Sequence, residues 1–589
     1  MENHTINSAV PRGEHPRPDF RRANWMTLNG AWQFAFDDDD TGLLNNWHMP
    51  GTELERSITV PFAYQTELSG IGLSEYHPVV WYKRQFEIPG SAKGKRAFLC
   101  FGAVDYESDI FIDGECVFMH TGGYTPFTVE ATRFCKNNSS ITVAVRVADF
   151  NDPAQPRGKQ YWKDVPDRCW YTPCTGIWQS VWLEFIDGAR IETAAITPDI
   201  DNARAEIEID LESCEPEMSA EIDVAFDGKR VAKIHAFVPE KRFTVTVNLA
   251  EPDHIDEVHY WWPHSPRLYD VSIKLLKDGV LCDEVNTYFG MRKVAIENGR
   301  FLLNNQPYYL KMVLDQGYWR QSGLTPPGDE AIVEDIKLTK EFGFNGARKH
   351  QKIEDPRYYY WADKLGLLVW GELPAAYRFG RFEIQALSRD LQEFIHRDRS
   401  HPSIVAWVPI NESWGVRKIR DLAAHQSLAR ALYHLAKACD PSRPVISNDG
   451  WELVETDITA IHDYSPEGGG FNEKYGTLDE NLYPMHRRLL AMNEGLSEDA
   501  AAVISEYGGI ALKEHTVNGS WGYFRSAENI DELVERFAGL TRSIFAIRSV
   551  CGLCYTQLSD VYQEVNGLLD FDHKPKLPPE RIAGILNER

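Results

Sequence analysis

Asp355-Pro356-Arg357-Tyr358-Tyr359-Tyr360-Trp361-Ala362-Asp363-Lys364-Leu365-Gly366-Leu367-Leu368-Val369-Trp370 is the most legible unit in this chain of 589 residues. Asp355 is suited to cap a helix whose first position is Pro356, where a missing N–H costs nothing. Tyr358, Trp361, Ala362 and Leu365 then fall on one face, Gly366 stops the helix, and a short buried strand follows. Outward from this unit the alternation repeats. Leu387, Leu391, Phe394 and Ile395 mark a helix ahead of the strand Ile404-Val405-Ala406-Trp407. Leu428, Leu432 and Leu435 mark another, with Asp440-Pro441 between it and Pro444-Val445-Ile446-Ser447. From residue 293 onward eight strands are predicted, at about 309–314, 344–348, 367–371, 404–409, 444–448, 458–462, 502–506 and 550–555. Eight strands alternating with helices are what a (β/α)8 TIM barrel needs. An open doubly wound sheet is the rival, and no GxGxxG follows a strand to support a dinucleotide fold.

Ahead of residue 293 the pattern is different. To about residue 187, short runs such as Ala31–Phe36, Ala97–Phe101 and Asp109–Gly114 are broken by Gly, Pro and Asp, the all-β signature. A second β unit covers 188–292, where Ala205–Leu211 alternates strictly and suits a small sandwich. Three domains are therefore expected, 1–187, 188–292 and 293–589. Neither β unit shows a catalytic motif, so they read as scaffolding or as carbohydrate-contact modules.

Composition narrows the partners. The formal net charge is −25, which argues against nucleic acid or an anionic membrane, since phosphate binding leans on clustered Lys and Arg. No apolar run approaches the ~18 residues of a membrane-spanning helix. No secretory signal is visible after Met1, and ten scattered cysteines form no disulfide framework, so a cytoplasmic setting is expected. Cys551-Gly552-Leu553-Cys554 has CxxC spacing but sits in an apolar strand without a second pair, so no metal and no cofactor are expected. A homo-oligomer remains open. Seventeen tryptophans are the unusual figure, since aromatic faces serve cores and also stack on sugar rings.

In a barrel, functional residues lie where strands end and βα loops begin. The fourth strand runs into Asn411-Glu412-Ser413-Trp414, and the seventh into Ser505-Glu506-Tyr507-Gly508. Two glutamates delivered to one rim are the equipment for acid/base and nucleophilic work on a glycosidic bond, although either alone reads more readily as a solvated strand end.

The sequence resembles family 2 glycoside hydrolases along nearly its whole length. The marks are Leu28-Asn29-Gly30-Ala31-Trp32, Asp105-Tyr106, Gly122–Phe127 and Gly176-Ile177-Trp178, then Asn345–Arg348, Asp355-Pro356-Arg357, Asn411-Glu412 and Ser505–Gly508. The resemblance implies a jelly-roll sugar-binding domain, an immunoglobulin-like sandwich and a catalytic barrel. It implies a retaining, exo-acting mechanism, with Glu412 as general acid and then base, and Glu506 as nucleophile. It also matches Asn411 to a residue that bonds the sugar 2-OH, Arg348 to a buried arginine supporting the nucleophile, and Tyr464 to a tyrosine bonding it. Arg348 as a purely structural residue and Tyr464 as a packing residue stay open. His350, Asp315 and Trp521 are pocket candidates from loop position, His350 standing one residue earlier than in many relatives. His462 is either a pocket residue or a satisfied core histidine. Trp414 and Trp521 are the sugar-facing candidates, whereas Trp370 and Trp407 read as barrel packing.

Within that family, glucuronidases carry Asn-x-Lys after the eighth strand, where the lysine meets the substrate carboxylate. Here Asn566 is present and Leu568 replaces the lysine, and an apolar residue cannot pair a carboxylate. Asn472-Glu473-Lys474 has the spacing but lies between the sixth and seventh strands. The three-domain length is the one glucuronidases share, so length and motif disagree. The motif favours an exo-β-galactosidase acting on a neutral carbohydrate substrate, with β-glucuronidase the alternative. A catalytically silent carbohydrate-binding protein is the reading from another class, although it needs no paired carboxylates.

Overall fold

The computed structural model describes residues 10–136, 138–163, 165–250, 258–466, 471–476, 501–517 and 519–589. In the N-terminal part, a four-stranded sheet (order Trp25–Thr27, Val181–Ile186, Arg96–Phe101, Phe127–Glu130) faces a six-stranded one built around Gly30–Phe36, Val79–Glu87 and Ser140–Ala148. Phe34, Tyr82 and Val143 from one sheet meet Leu99, Phe101 and Leu183 from the other in a single core. A three-stranded and a four-stranded antiparallel sheet follow between Ile191 and Phe289. In Arg204–Leu211, Ala205, Ile207 and Ile209 turn inward, while Glu206 and Glu208 take the outer face that period-two alternation predicts.

The C-terminal part is the TIM barrel. Seven parallel strands are ordered Ile404–Val408, Leu368–Glu372, Gly346–Lys349, Leu310–Asp315, Val550–Thr556, Ala501–Gly508 and Ile458–His462. The expected fifth strand is not a regular one. Residues 444–449 occupy its place, with Ile446 N donating to Trp407 O at 2.9 Å, Asp449 N to Ile410 O at 2.8 Å, and Asp457 N to Val445 O at 3.0 Å. Pro444 has no N–H, and the amides of Val445 and Ser447 are taken by the Asp457 and Thr456 side chains at 2.8 and 3.4 Å. Side chains thus replace the backbone ladder along that edge.

The helix read from Asp355 spans Pro356–Leu365, with Asp355 Oδ1 accepting from Arg357 N at 2.9 Å. Gly366 closes it at φ +74°, and a Cβ there would lie 2.2 Å from the Pro263 carbonyl oxygen, so both conformation and space require glycine. Trp370 packs inside the barrel with Met312 and Leu368, and Trp407 packs outside against Phe394. Both are fully buried, as packing residues should be. All ten cysteines are free thiols. Burial pushes Cys551 up to about 11 and Cys554 up as well, so both stay protonated within the core. No helix of the described residues is long and apolar enough to cross a membrane.

A loop of the first β unit reaches the mouth of the barrel. Arg157 N and Gly158 N donate to Ala375 O at 2.9 and 3.0 Å, and a Cβ on Gly158 would meet Gln351 O at 2.1 Å. Tyr171 Oη, from the same loop, donates to Glu564 Oε2 at 2.7 Å. The rim of the barrel is therefore walled partly by the first unit.

Candidate active site

Arg348, at the end of the second barrel strand, is the hub. Its guanidinium donates to Glu506 Oε1 (2.8 Å), Glu372 Oε2 (2.7 Å) and Asn411 Oδ1 (2.7 Å), and lies 3.1 Å from Asp449 Oδ2. It is fully buried, so only such a set of acceptors makes its charge tolerable. Tyr464 Oη donates to the other oxygen of Glu506, Oε2, at 2.6 Å and lies 3.0 Å from Thr556 Oγ1. Burial and the neighbouring Glu506 push Tyr464 well up, which keeps it a donor.

Glu412 and Ser413 sit at φ +50° and +54°, in the left-handed region. Glu412 N donates to Asp449 O at 2.9 Å, and Glu412 Oε1 lies 2.9 Å from His462 Nδ1. The other imidazole nitrogen, Nε2, lies 3.2 Å from Asp449 Oδ1 and 3.4 Å from Glu506 Oε1. Burial opposes protonation of His462, yet Glu506, Asp449 and Glu412 together raise it to about 10. Burial likewise opposes ionisation of Asp449, but Arg348, His462 and Ser505 hold it at about 2. Glu412, pushed up by burial, is pulled below its usual range by the His462 hydrogen bond and charge. Glu506 is raised, since burial and Glu412 outweigh His462 and Arg348. The two glutamates are thus pushed apart, in the sense opposite to that expected of an acid at 412 and a nucleophile at 506.

Glu412, His462 and Glu506 each offer an atom within 4.8 Å of the other two, a spacing a metal ion also uses. Both imidazole nitrogens face carboxylates, however, and His462 holds its protons tightly, so this set suits a proton better than a metal.

Of the other residues read from the sequence, His350 is buried beside this group, its Nδ1 3.1 Å from Glu372 Oε1, and burial, Lys159 and Arg348 keep it neutral. Asp315 belongs elsewhere: it pairs with Lys349 Nζ at 2.7 Å in a buried chain that continues to Glu354. Trp521 stands at the rim, its Nε1 donating to Arg168 O at 2.8 Å, and it meets Tyr523 edge-on at 5.2 Å. Tyr523 in turn stacks on Tyr464 at 3.5 Å. Trp414 joins a half-buried aromatic cluster beside Glu412, 5.2 Å from Trp170, 5.1 Å from Tyr377 and 6.3 Å from Trp451, with Arg417 over its face at 4.2 Å.

Leu568 is fully buried in the core rather than facing the rim, and Asn566 Nδ2 donates to Glu564 Oε1 at 3.1 Å. Lys474 Nζ donates to Asp463 Oδ2 at 2.7 Å, while the side chains of Asn472 and Glu473 lie outside the described residues.

Four residues escaped the sequence reading. Glu372 and Asp449 end the third strand and the irregular fifth segment, so the strand-end rule reaches them too. Lys159 and Glu564 have no such signal. Lys159, on the loop that the first β unit sends to the rim, is only 8% exposed; its carbonyl accepts from Tyr171 N at 2.8 Å, but its side chain makes no hydrogen bond or ion pair among the described residues. Burial opposes its charge, but Cys169, Glu564, Tyr377 and Glu412 surround it and raise it.

The sequence model of glycosyl hydrolases family 2 matches residues 189–292, that family's TIM barrel domain matches 294–513, and its sugar binding domain matches 25–184. The chain belongs to glycoside hydrolase family 2. It is similar to a β-glucuronidase of Paenibacillus borealis, with 26% identity over 71% of this chain and 72% of that one. It is also similar to a β-galactosidase of Thermoanaerobacter pseudethanolicus, with 28% identity over 66% of this chain and 50% of the relative. Among solved structures, a β-glucuronidase from Ruminococcus gnavus superposes with a TM-score of 0.76 at 19% identity, over 98% of this chain and 100% of that one. The family makes the protein a glycosidase.

Proposed function

We propose that this glycosidase is a retaining exo-β-galactosidase in which Glu506 is the nucleophile and Glu412 the acid and base. The observation that carries this reading is the approach of the two carboxylates, which offer oxygens within 4.8 Å of each other. Retaining enzymes hold their pair about 5–5.5 Å apart, whereas inverting ones need roughly 6.5–9.5 Å to admit a water. Glu506 receives hydrogen bonds on both oxygens, from Arg348 and Tyr464, which favour the attacking carboxylate against the burial and the Glu412 charge that raise it. Glu412 is about a fifth exposed and borders the Trp414 cluster, the side from which a leaving group would depart. Glu506 attacks C1 while the glycosidic oxygen is protonated from the Glu412 side. Water activated by Glu412 then releases the sugar with its configuration retained.

Leu568 supplies no cation for a substrate carboxylate, and Glu564 would repel one while accepting sugar hydroxyls, so a neutral glycone is favoured. A β-glucuronide is the second reading, favoured by Lys159, a nearly buried ammonium whose side chain makes no hydrogen bond or ion pair among the described residues. A panel of chromogenic aryl glycosides tests both. Galactoside cleavage lost in Glu506→Ala, and restored by azide with an inverted azide product, is the expected result. Turnover of the glucuronide alone, abolished by Lys159→Met, would sink the galactosyl assignment. No turnover of any substrate would leave a carbohydrate-binding role.

A further inference from the structure

We infer that the proton delivered to the leaving group is held by His462 and passed through Glu412, so that the acid is a His462–Glu412 pair anchored by Asp449. The inference rests on Glu412 being the acid. Left alone with its surroundings, Glu412 is ionised, and an ionised carboxylate has no proton to give. The proton count of a charged His462 beside an ionised Glu412 equals that of a neutral imidazole beside a carboxylic acid. The two forms differ only by transfer across the 2.9 Å contact between Nδ1 and Oε1.

The surroundings are built to hold that imidazole. Asp449 Oδ1 lies 3.2 Å from Nε2 and also accepts from Ser505 Oγ at 2.5 Å, while Arg348 Nε lies 3.1 Å from the other Asp449 oxygen. Asp449 therefore fixes the ring without being free to take its proton. Gly450 follows at φ +87°, and a Cβ there would lie 2.1 Å from the His462 ring, so the backbone is shaped around the imidazole. The charged groups facing His462 are Glu412, Asp449 and Glu506, with Arg348 Nη1 at 3.3 Å from Nε2 and neutral His350 nearby.

In the first half-reaction the proton on Nδ1 moves to Glu412 Oε1, and this carboxyl swings to the glycosidic oxygen and gives the proton up. The C1–O bond breaks as Glu506 bonds to C1, the leaving group departs as an alcohol, and His462 is left neutral. In the second half-reaction water bonds to C1 and the C1–Glu506 bond breaks. The water proton taken by Glu412 returns to Nδ1, so no proton is gained or lost over the cycle. His462 touches no substrate atom in this scheme and acts through Glu412, as a positioning residue that stores the proton.

The test compares wild type, Glu412→Gln and His462→Gln on glycosides with phenyl and 2,4-dinitrophenyl leaving groups, using the glycone that the panel identifies. The dinitrophenyl group departs without an acid, so its turnover also reports an intact, folded site. The expected result is a loss of about 100-fold or more in kcat/KM on the phenyl glycoside for both variants, with the dinitrophenyl substrate within about threefold. Glu412→Gln discriminating between the substrates while His462→Gln does not would overturn the inference and leave the acid assignment standing. Equal losses on both substrates in Glu412→Gln would remove the acid assignment and the inference together. A second readout needs no variant. The stored proton is lost only as pH rises through the raised value of His462, so the alkaline limb of wild-type kcat/KM on the phenyl glycoside is expected above pH 8. A limb below pH 6 would overturn the inference.

Discussion

The hydroxyl of Tyr464 donates to Glu506 Oε2 across 2.6 Å. The ring behind it is clamped against Tyr523, with centroids 3.5 Å apart and planes 2° from parallel, so the hydroxyl is aimed by packing on a rigid face. Tyr464→Phe keeps that packing and deletes one bond to a carboxylate. A hydrogen bond to a charged group contributes about 1.5–3 kcal/mol, so kcat/KM should fall by roughly 10- to 150-fold with little change in melting temperature. A loss below about threefold would mean that the hydroxyl does not serve Glu506.

Arg348 serves Glu506, Glu372, Asn411 and Asp449 at once, which a planar fork can do and a single ammonium cannot. Arg348→Lys preserves the charge but leaves at least one buried carboxylate unpaired. Breaking a buried pair costs about 3–5 kcal/mol, and urea unfolding of the variant should show a loss of that order together with near-complete loss of activity. A variant within about 1 kcal/mol of wild type would contradict the hub role.

The Trp414 cluster borders Glu412, which makes it the wall for the leaving group under the proposed roles. Its rings come from two separate parts of the chain, Trp170 on a loop of the first β unit and Tyr377, Trp414 and Trp451 on barrel loops. Trp414→Ala removes the central ring. Aromatic contacts contribute about 0.5–1.5 kcal/mol beyond area, so kcat/KM for aryl glycosides should fall up to about 10-fold, and methyl glycosides should lose less. Equal losses on both would assign Trp414 to structure alone.

Much of the barrel and half of the site were legible because a periodic fold writes its active rim into strand ends. Arg348, Asn411, Glu412, His462, Tyr464 and Glu506 all follow apolar runs that betray their place. The irregular fifth segment was legible in position but not in form, since the side chains of Thr456 and Asp457 replace backbone partners there. Lys159 was hidden because it reaches the rim from a β-unit loop, a contact set by domain packing and not by any local period. The His462–Glu412 contact was hidden for another reason. It depends on the left-handed backbone at Glu412 and Ser413 and on the space left by Gly450, which only the folded chain reveals.

The buried chain that captures Asp315 has a consequence for acid stability. Glu354 sits between Lys349 and Lys352, each 2.8 Å away, and although burial opposes ionisation the two ammoniums hold its carboxyl at about 2. A carboxyl depressed on folding stabilises the native state above its unfolded value, and that contribution is lost as pH falls through the folded one. With an unfolded value near 4.5, the window runs from about 4.5 down to about 2, and the full contribution is about 3 kcal/mol. Glu354→Gln should therefore melt below wild type at pH 7, and the gap should narrow steadily between pH 4.5 and pH 3 as the wild type loses what the variant never had. Thermal scans across that range check it. A gap unchanged from pH 7 to pH 3 would show that packing, and not the charge of Glu354, accounts for the difference.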